Sequence, residues 1–74
     1  MADSSADSFA IQLNGEPHQI LGDVRLPALI EQLKLRRGRV AVEINRRVIP
    51  KVAWDETVLH PGDLVEIVNF VGGG

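Results

Sequence analysis

The sequence predicts an α+β domain, a mixed sheet of about five short strands around one main helix. Three observations carry that expectation. Residues 9–13 alternate apolar and polar side chains up to an Asn14-Gly15 step. A single apolar stripe at helical spacing follows over residues 26–33. Further alternating runs come after it, at residues 40–45 and 64–71. The 74 residues leave room for one domain, near the small end of what folds alone.

Each element has its own signal. Residues 1–8 (MADSSADS) are small, polar and acidic, and are expected to form a disordered N-terminal extension. Phe9, Ile11 and Leu13 then share one face of a strand. Asn-Gly between such runs is the strongest short hairpin signal, because both positions accept positive φ. The return strand spans residues 18–21, with Pro17 near its start, where a missing N–H is tolerable. Leu26, Leu29, Ile30 and Leu33 form the helical stripe, and Pro27 suits a first turn. Arg25 is a poor N-cap, so that end of the helix is expected to fray. Gly38 is the expected left-handed stop.

Val40, Val42 and Ile44 define a half-buried strand, and a turn at Asn45 leads into a short strand at residues 48–49, stopped by Pro50. Residues 51–55 are expected to form one helical turn with Trp54 folded back as a core plug. Pro61-Gly62-Asp63 is a turn signal. Residues 64–71 form the longest expected strand, with Val65 and Ile67 facing one way and Leu64, Glu66, Val68 and Phe70 the other. A hairpin, a helix and then further strands is the order of a β-grasp, in which the first and last strands lie side by side at the sheet centre. The expected division is an extension over residues 1–8, a β-grasp domain over 9–71 and a flexible glycine tail over 72–74.

Composition excludes several kinds of chemistry. There is no cysteine, hence no disulfide, no thiolate metal site and no cysteine nucleophile. Two histidines, His18 and His60, are too few for an all-histidine metal site. The serines Ser4, Ser5 and Ser8 lie in the loose N-terminal segment, which cannot hold a nucleophile in register. Asp55 with Glu56, and Asp63 with Glu66, could pair, but no acid lies in an evidently apolar setting that would raise its pKa. Net charge is −2, yet all eight Lys and Arg fall within residues 25–51, between two acidic flanks. Lys34, Arg36, Arg37, Arg39, Arg46, Arg47 and Lys51 could make one positive face. No aromatic is interleaved with them to stack bases, and no glycine-rich phosphate loop precedes the helix. Neither nucleic-acid nor membrane binding is expected. No apolar run approaches a membrane span, and no secretory pattern opens the sequence, so a cytoplasmic location is expected.

Gly72-Gly73-Gly74 is the unusual feature. Without Cβ atoms, such a tail can thread through a channel too narrow for other residues. A terminal carboxylate is ionised at neutral pH and is a poor electrophile. It accepts a nucleophile only after conversion to a mixed anhydride, which calls for ATP and a second protein with a nucleotide site.

Taken together, Val42-Glu43-Ile44-Asn45, Val48-Ile49-Pro50-Lys51, Trp54, the run from Pro61-Gly62-Asp63 to Val68 and the closing glycines resemble the sulfur carrier proteins of thiamine biosynthesis, the ThiS family. The helical Leu29-Ile30-Glu31-Gln32-Leu33 fits as well. The resemblance runs from residue 9 to residue 74, and it implies a ubiquitin-like β-grasp. It further implies a carrier with no bound cofactor, acted on by partners. An E1-like adenylating enzyme would use ATP to activate the carboxylate. Sulfur from a cysteine desulfurase or other sulfur donor would displace AMP, leaving a thiocarboxylate, and thiazole synthase would take that sulfur for the thiazole ring. On this sequence Gly74 is the implied acceptor, and Gly72 and Gly73 supply the threading tail. Val68, Phe70 and Val71 are the expected partner contacts, with Phe70 expected to be exposed because it shares a face with Glu66. Two features depart from the pattern: Arg25 stands where a small hydroxyl residue is expected, and the N-terminal extension is long.

Three other readings share this architecture. The small subunit of molybdopterin synthase uses the same Gly-Gly chemistry, but only residues 35–40 separate helix from strand here, which favours the thiamine branch. A plain β-grasp interaction module would use its basic face and leave the tail idle. A modifier conjugated to lysines would form isopeptide bonds through Gly74.

Overall fold

The structure, a computed structural model, describes residues 8–70. Five strands form one sheet: β1 (Ser8–Leu13), β2 (Glu16–Leu21), β3 (Val40–Ile44), β4 (Arg47–Val48) and β5 (Leu64–Asn69). The helix α1 spans Leu26–Gln32, and two 3-10 turns cover Arg37–Arg39 and Lys51–Glu56. The sheet order is β2-β1-β5-β3-β4. Strands β1 and β5 run parallel at the centre, and every other pairing is antiparallel. This is the β-grasp arrangement expected from the order of elements. β1 begins at Ser8, inside the expected extension. No helix among the described residues is long and apolar enough to cross a membrane.

Both hairpins close through two-residue turns with positive φ. Asn14 (51°) and Gly15 (86°) join β1 to β2, with Leu13 opposite Glu16. Asn45 (53°) and Arg46 (71°) join β3 to β4, with Ile44 opposite Arg47. The twist of such turns matches that of the strands they join. β2 starts at Glu16, earlier than expected, and contains Pro17. As an edge strand it has no neighbour on its outer side to demand that N–H.

The helix departs from expectation at both ends. It ends at Gln32, six residues before Gly38. Lys34 takes the left-handed conformation (φ 61°) and its N–H donates to the Glu31 carbonyl at 3.0 Å. The Leu35 N–H then donates to the Ile30 carbonyl at 3.1 Å. These two bonds make a Schellman motif with lysine in the usual glycine place. The partly buried Leu35 packs against the core, so burial of its side chain sets where the helix ends. Gly38 instead sits within the 3-10 turn Arg37–Arg39. At the other end Arg25 gives no side-chain cap, as expected, yet long-range backbone bonds hold this end. Arg25 bridges to Val58, the Leu26 N–H donates to the Thr57 carbonyl at 2.9 Å, and the Leu59 N–H donates to the Val24 carbonyl at 2.8 Å.

One face of the sheet is covered. Ile11, Ile20, Val42, Val65 and Ile67 pack there with Leu29 and Ile30 of α1 and with Leu59. Trp54, fully buried, closes the core as expected, and its indole N–H donates to the Ile49 carbonyl at 2.9 Å. At 25–30 cal/mol per Å², burial of this kind is the main force holding a small domain together.

β5 is locked from both sides by the two hairpin asparagines. Asn14 Oδ1 accepts from the Ile67 N–H at 2.9 Å, and its Nδ2 donates to the Ile67 carbonyl at 3.3 Å. Asn45 Oδ1 accepts from the Leu64 N–H at 3.0 Å, while its Nδ2 donates to Asp63 Oδ1 at 3.0 Å. The side chains extend the backbone ladder where strand pairing runs out.

Candidate functional site

The site is best built outward from β5. Its alternation puts Val65 and Ile67 in the core and leaves Leu64, Glu66 and Val68 on the opposite face. β5 covers six residues, the same as β1 and β2, rather than the expected eight. Asn69 is its last paired residue, opposite Val40. One further bond, from the Phe70 N–H to the Arg39 carbonyl at 2.6 Å, fixes where the chain leaves the sheet.

The outer face is uncovered among the described residues and carries exposed apolar side chains between polar ones. Val68 is 57 % exposed and Phe70 53 %, so Phe70 is as open as the sequence led us to expect. Val48, Leu64 and Leu21 are exposed on the same face. Glu66 stands directly across from Glu43, placing two carboxylates in the middle of this surface. Of the expected contact residues, Val68 lies here and Phe70 stands just beyond the end of β5. Val71, Gly72, Gly73 and Gly74 lie outside the described residues.

The acids and histidines do not assemble into a reactive set. Asp63 is buried but fully engaged, accepting from Asn45 Nδ2 and from the His60 N–H at 2.9 Å. Its partners are these donors and not Glu66. Asp55 pairs with Arg37 at 3.3 Å. Asp23 pairs with Arg25 at 3.2 Å, and hydrogen bonds from that guanidinium hold the Asp23 carboxyl below the usual carboxylate range. His60 is exposed, whereas His18 is half-buried on the core side of β2, and its Nε2 has no hydrogen-bond partner. No group of three or more His, Asp or Glu among the described residues could hold a metal ion.

The expected single positive face is divided. Arg37 and Lys51 stand over the Trp54 ring, 5.2 and 5.6 Å from its centroid, and so belong to the core's lid. Arg46 in the β3–β4 turn and Arg47 at the start of β4 lie a strand length away from the chain's exit. Lys34, Arg36 and Arg39 gather beside Phe70. The sequence shows all seven as a cluster because they are close along the chain, and pairing to distant elements sorts them.

Comparison with known proteins bears on this surface. The ThiS family model matches residues 11–74. The sulfur carrier protein ThiS of Bacillus subtilis is 37 % identical over 65 residues, covering 86 % of this chain and 98 % of that one. A thiazole synthase of Magnetococcus marinus is 39 % identical over 64 residues, which span 86 % of this chain but only 20 % of the synthase. A crystal structure of the thiamine biosynthesis protein ThiS from Geobacter metallireducens superposes with a TM-score of 0.75 at 33 % identity, covering 89 % of this chain and all of that one. Fold and sequence therefore agree that the chain belongs to the ThiS family, the small sulfur carriers of thiamine biosynthesis.

Proposed function

We propose that this carrier holds its sulfur on the carboxylate of Gly74. In the first step that carboxylate attacks the α-phosphorus of ATP in an E1-like adenylating enzyme, releasing pyrophosphate and leaving an acyl adenylate. In the second, a hydrosulfide equivalent from a cysteine desulfurase or other sulfur donor attacks the acyl carbon. AMP leaves with the bonding electron pair, and a thiocarboxylate remains. Thiazole synthase then takes that sulfur into the thiazole ring of thiamine. Val68 and Phe70, with Val71, meet the partner, while Gly72 and Gly73 thread its channel. The chain binds no cofactor itself, and the steps belong in the cytoplasm, where ATP is supplied.

The observation that carries this reading is a set of exposed apolar side chains, Leu64, Val68 and Phe70, leading along and past β5 to three glycines that follow Val71. A partner grips the face and draws in the tail, which no side chain obstructs. The thiazole synthase match supports the recipient, since a segment like this chain occupies a fifth of that protein. It also favours thiamine over the molybdopterin branch.

The test is intact mass after incubation with ATP, the activating enzyme and a sulfur source. The expected result is a gain equal to exchanging one oxygen for sulfur, localised to the Gly74 peptide. An unchanged mass, with the enzyme active on another carrier, would overturn the proposal.

A further inference from the structure

Among the described residues five of the eight cations, Lys34, Arg36, Arg39, Arg46 and Arg47, make neither an ion pair nor a contact with the Trp54 ring, and the first three lie where the chain leaves the sheet. The ion pairs among the described residues involve Arg25, Arg37 and His60. Lys34, Arg36 and Arg39 take part in none of them, and all three are exposed. They are nonetheless held close together. The Schellman turn places Lys34 at the end of α1, and burial of Leu35 anchors the next step. The 3-10 turn then directs Arg37 toward Trp54 and Asp55 and returns Arg39 to the sheet, where its carbonyl accepts from the Phe70 N–H. The three cations, with Asn69 and Phe70, line one surface depression of ≈ 260 Å³.

We propose that Lys34, Arg36 and Arg39 around Phe70 form a docking cup for an acidic rim on the protein that receives the tail. This rests on the carrier reading above and names the chemistry of its partner. Continuity with the exit of the chain supports it. Residues 71–74, even fully extended, reach at most about 13–14 Å. A protein that holds the carboxylate of Gly74 in a cleft must therefore bring the mouth of that cleft against Phe70 and its three cations. Three like charges on that mouth are complementary to carboxylates there, and opposite charge at a rim speeds association and fixes orientation. A half-exposed aromatic ring at the centre of the cup fits an apolar socket flanked by carboxylates better than a free phosphate. Long nucleic acid is a poorer occupant, since the chain as a whole carries −2 and only one exposed ring is present to stack.

The test compares the full chain with a triple reversal, Lys34→Glu, Arg36→Glu and Arg39→Glu. The control is Arg46→Glu with Arg47→Glu, which changes charge at the opposite end of β3. Far-UV circular dichroism verifies the folding of each, and a milder Lys34→Gln, Arg36→Gln, Arg39→Gln variant covers any loss of fold in the first. ATP-free binding to the E1-like enzyme is measured from low to high salt, alongside intact mass with ATP and sulfur. The triple reversal is expected to weaken association about 10- to 100-fold at low salt and to flatten the salt dependence. The control pair is expected to change it less than about threefold. If wild type gains sulfur and the triple variant binds equally well with the same salt slope, the docking cup is wrong and the carrier reading stands. If wild type binds through these cations but never gains sulfur, the carrier chemistry alone falls. Equal losses in triple and control would reduce the effect to overall charge and overturn the cup. Tight binding of single-stranded RNA that the triple reversal abolishes, with enzyme binding unchanged, would reassign the cluster to nucleic acid.

Discussion

Replacing Trp54 tests the packing argument most directly, because the ring is fully buried and belongs to the core cluster. Trp54→Ala removes the ring, the bond from its N–H to the Ile49 carbonyl and the platform beneath Arg37 and Lys51. Large aromatic truncations in cores cost about 3–5 kcal/mol. A domain of this length has about 4–11 kcal/mol of stability in all, at roughly 0.05–0.15 kcal/mol per residue. The alanine variant should therefore sit near the edge of folding. Trp54→Phe keeps most of the apolar volume and loses the hydrogen bond, so about 1–2 kcal/mol is expected. Urea titration followed by far-UV circular dichroism suits the comparison, since the native tryptophan signal is absent from both variants. With a slope of about 1 kcal/mol per molar, the phenylalanine variant should unfold about 1–2 M earlier. An alanine variant losing less than about 1.5 kcal/mol would refute the role of the ring as closure of the core. Equal losses in both variants would place the energy in the indole N–H and not in packing.

Other perturbations follow from single features. Arg46→Gly should stabilise by about 0.5–1 kcal/mol, because residue 46 holds φ of 71° where glycine carries no Cβ penalty; a calorimetric melting temperature that falls would contradict this. Asp63→Ala should cost about 2–3 kcal/mol by orphaning Asn45 Nδ2 and the His60 N–H, read as a lower denaturation midpoint. Gly73→Val, or one residue added after Gly74, should leave the melting curve unchanged and abolish sulfur transfer by intact mass; normal transfer would show that the tail is not threaded. Arg25 lowers the Asp23 pKa, so the pair stabilises the fold above the ordinary carboxylate pKa and loses its effect as pH falls through the lowered one. Asp23→Asn should melt lower than wild type at neutral pH, and the two curves should converge in acid.

The apolar pattern made most of the fold legible before any coordinates. Period-two runs located β1, β3 and β5, the helical stripe located α1, and Asn14-Gly15 located the first turn. The sequence also placed Val68 on the uncovered face, because alternation along β5 leaves no other side for it, and it anticipated that Phe70 is exposed. What it misjudged were boundaries and partners. Gly38 is a better helix stop than Lys34 by local preference, but burying Leu35 against the core outweighs the cost of a left-handed lysine. Arg25 is a weak cap, and strand-like pairing with Val58 holds the helix end instead. The second hairpin turn was harder to recognise because Arg46 occupies a conformation that favours glycine.

The division between the two levels has a physical basis. Periodicity, turn preference and glycine content act over a few neighbouring residues, and by themselves they determined the strands, the helix, the first hairpin and a glycine tail after an apolar strand. Which charges are free depends on contacts between residues far apart in the chain, and only the tertiary structure decided it. Packing Trp54 drew Arg37 and Lys51 onto its ring, while the antiparallel register of β3 and β5 carried Arg46 and Arg47 to one end and Arg39 to the other. The same register set Glu43 opposite Glu66 and brought Phe70 beside Lys34, Arg36 and Arg39, a neighbourhood that spacing along the chain does not encode.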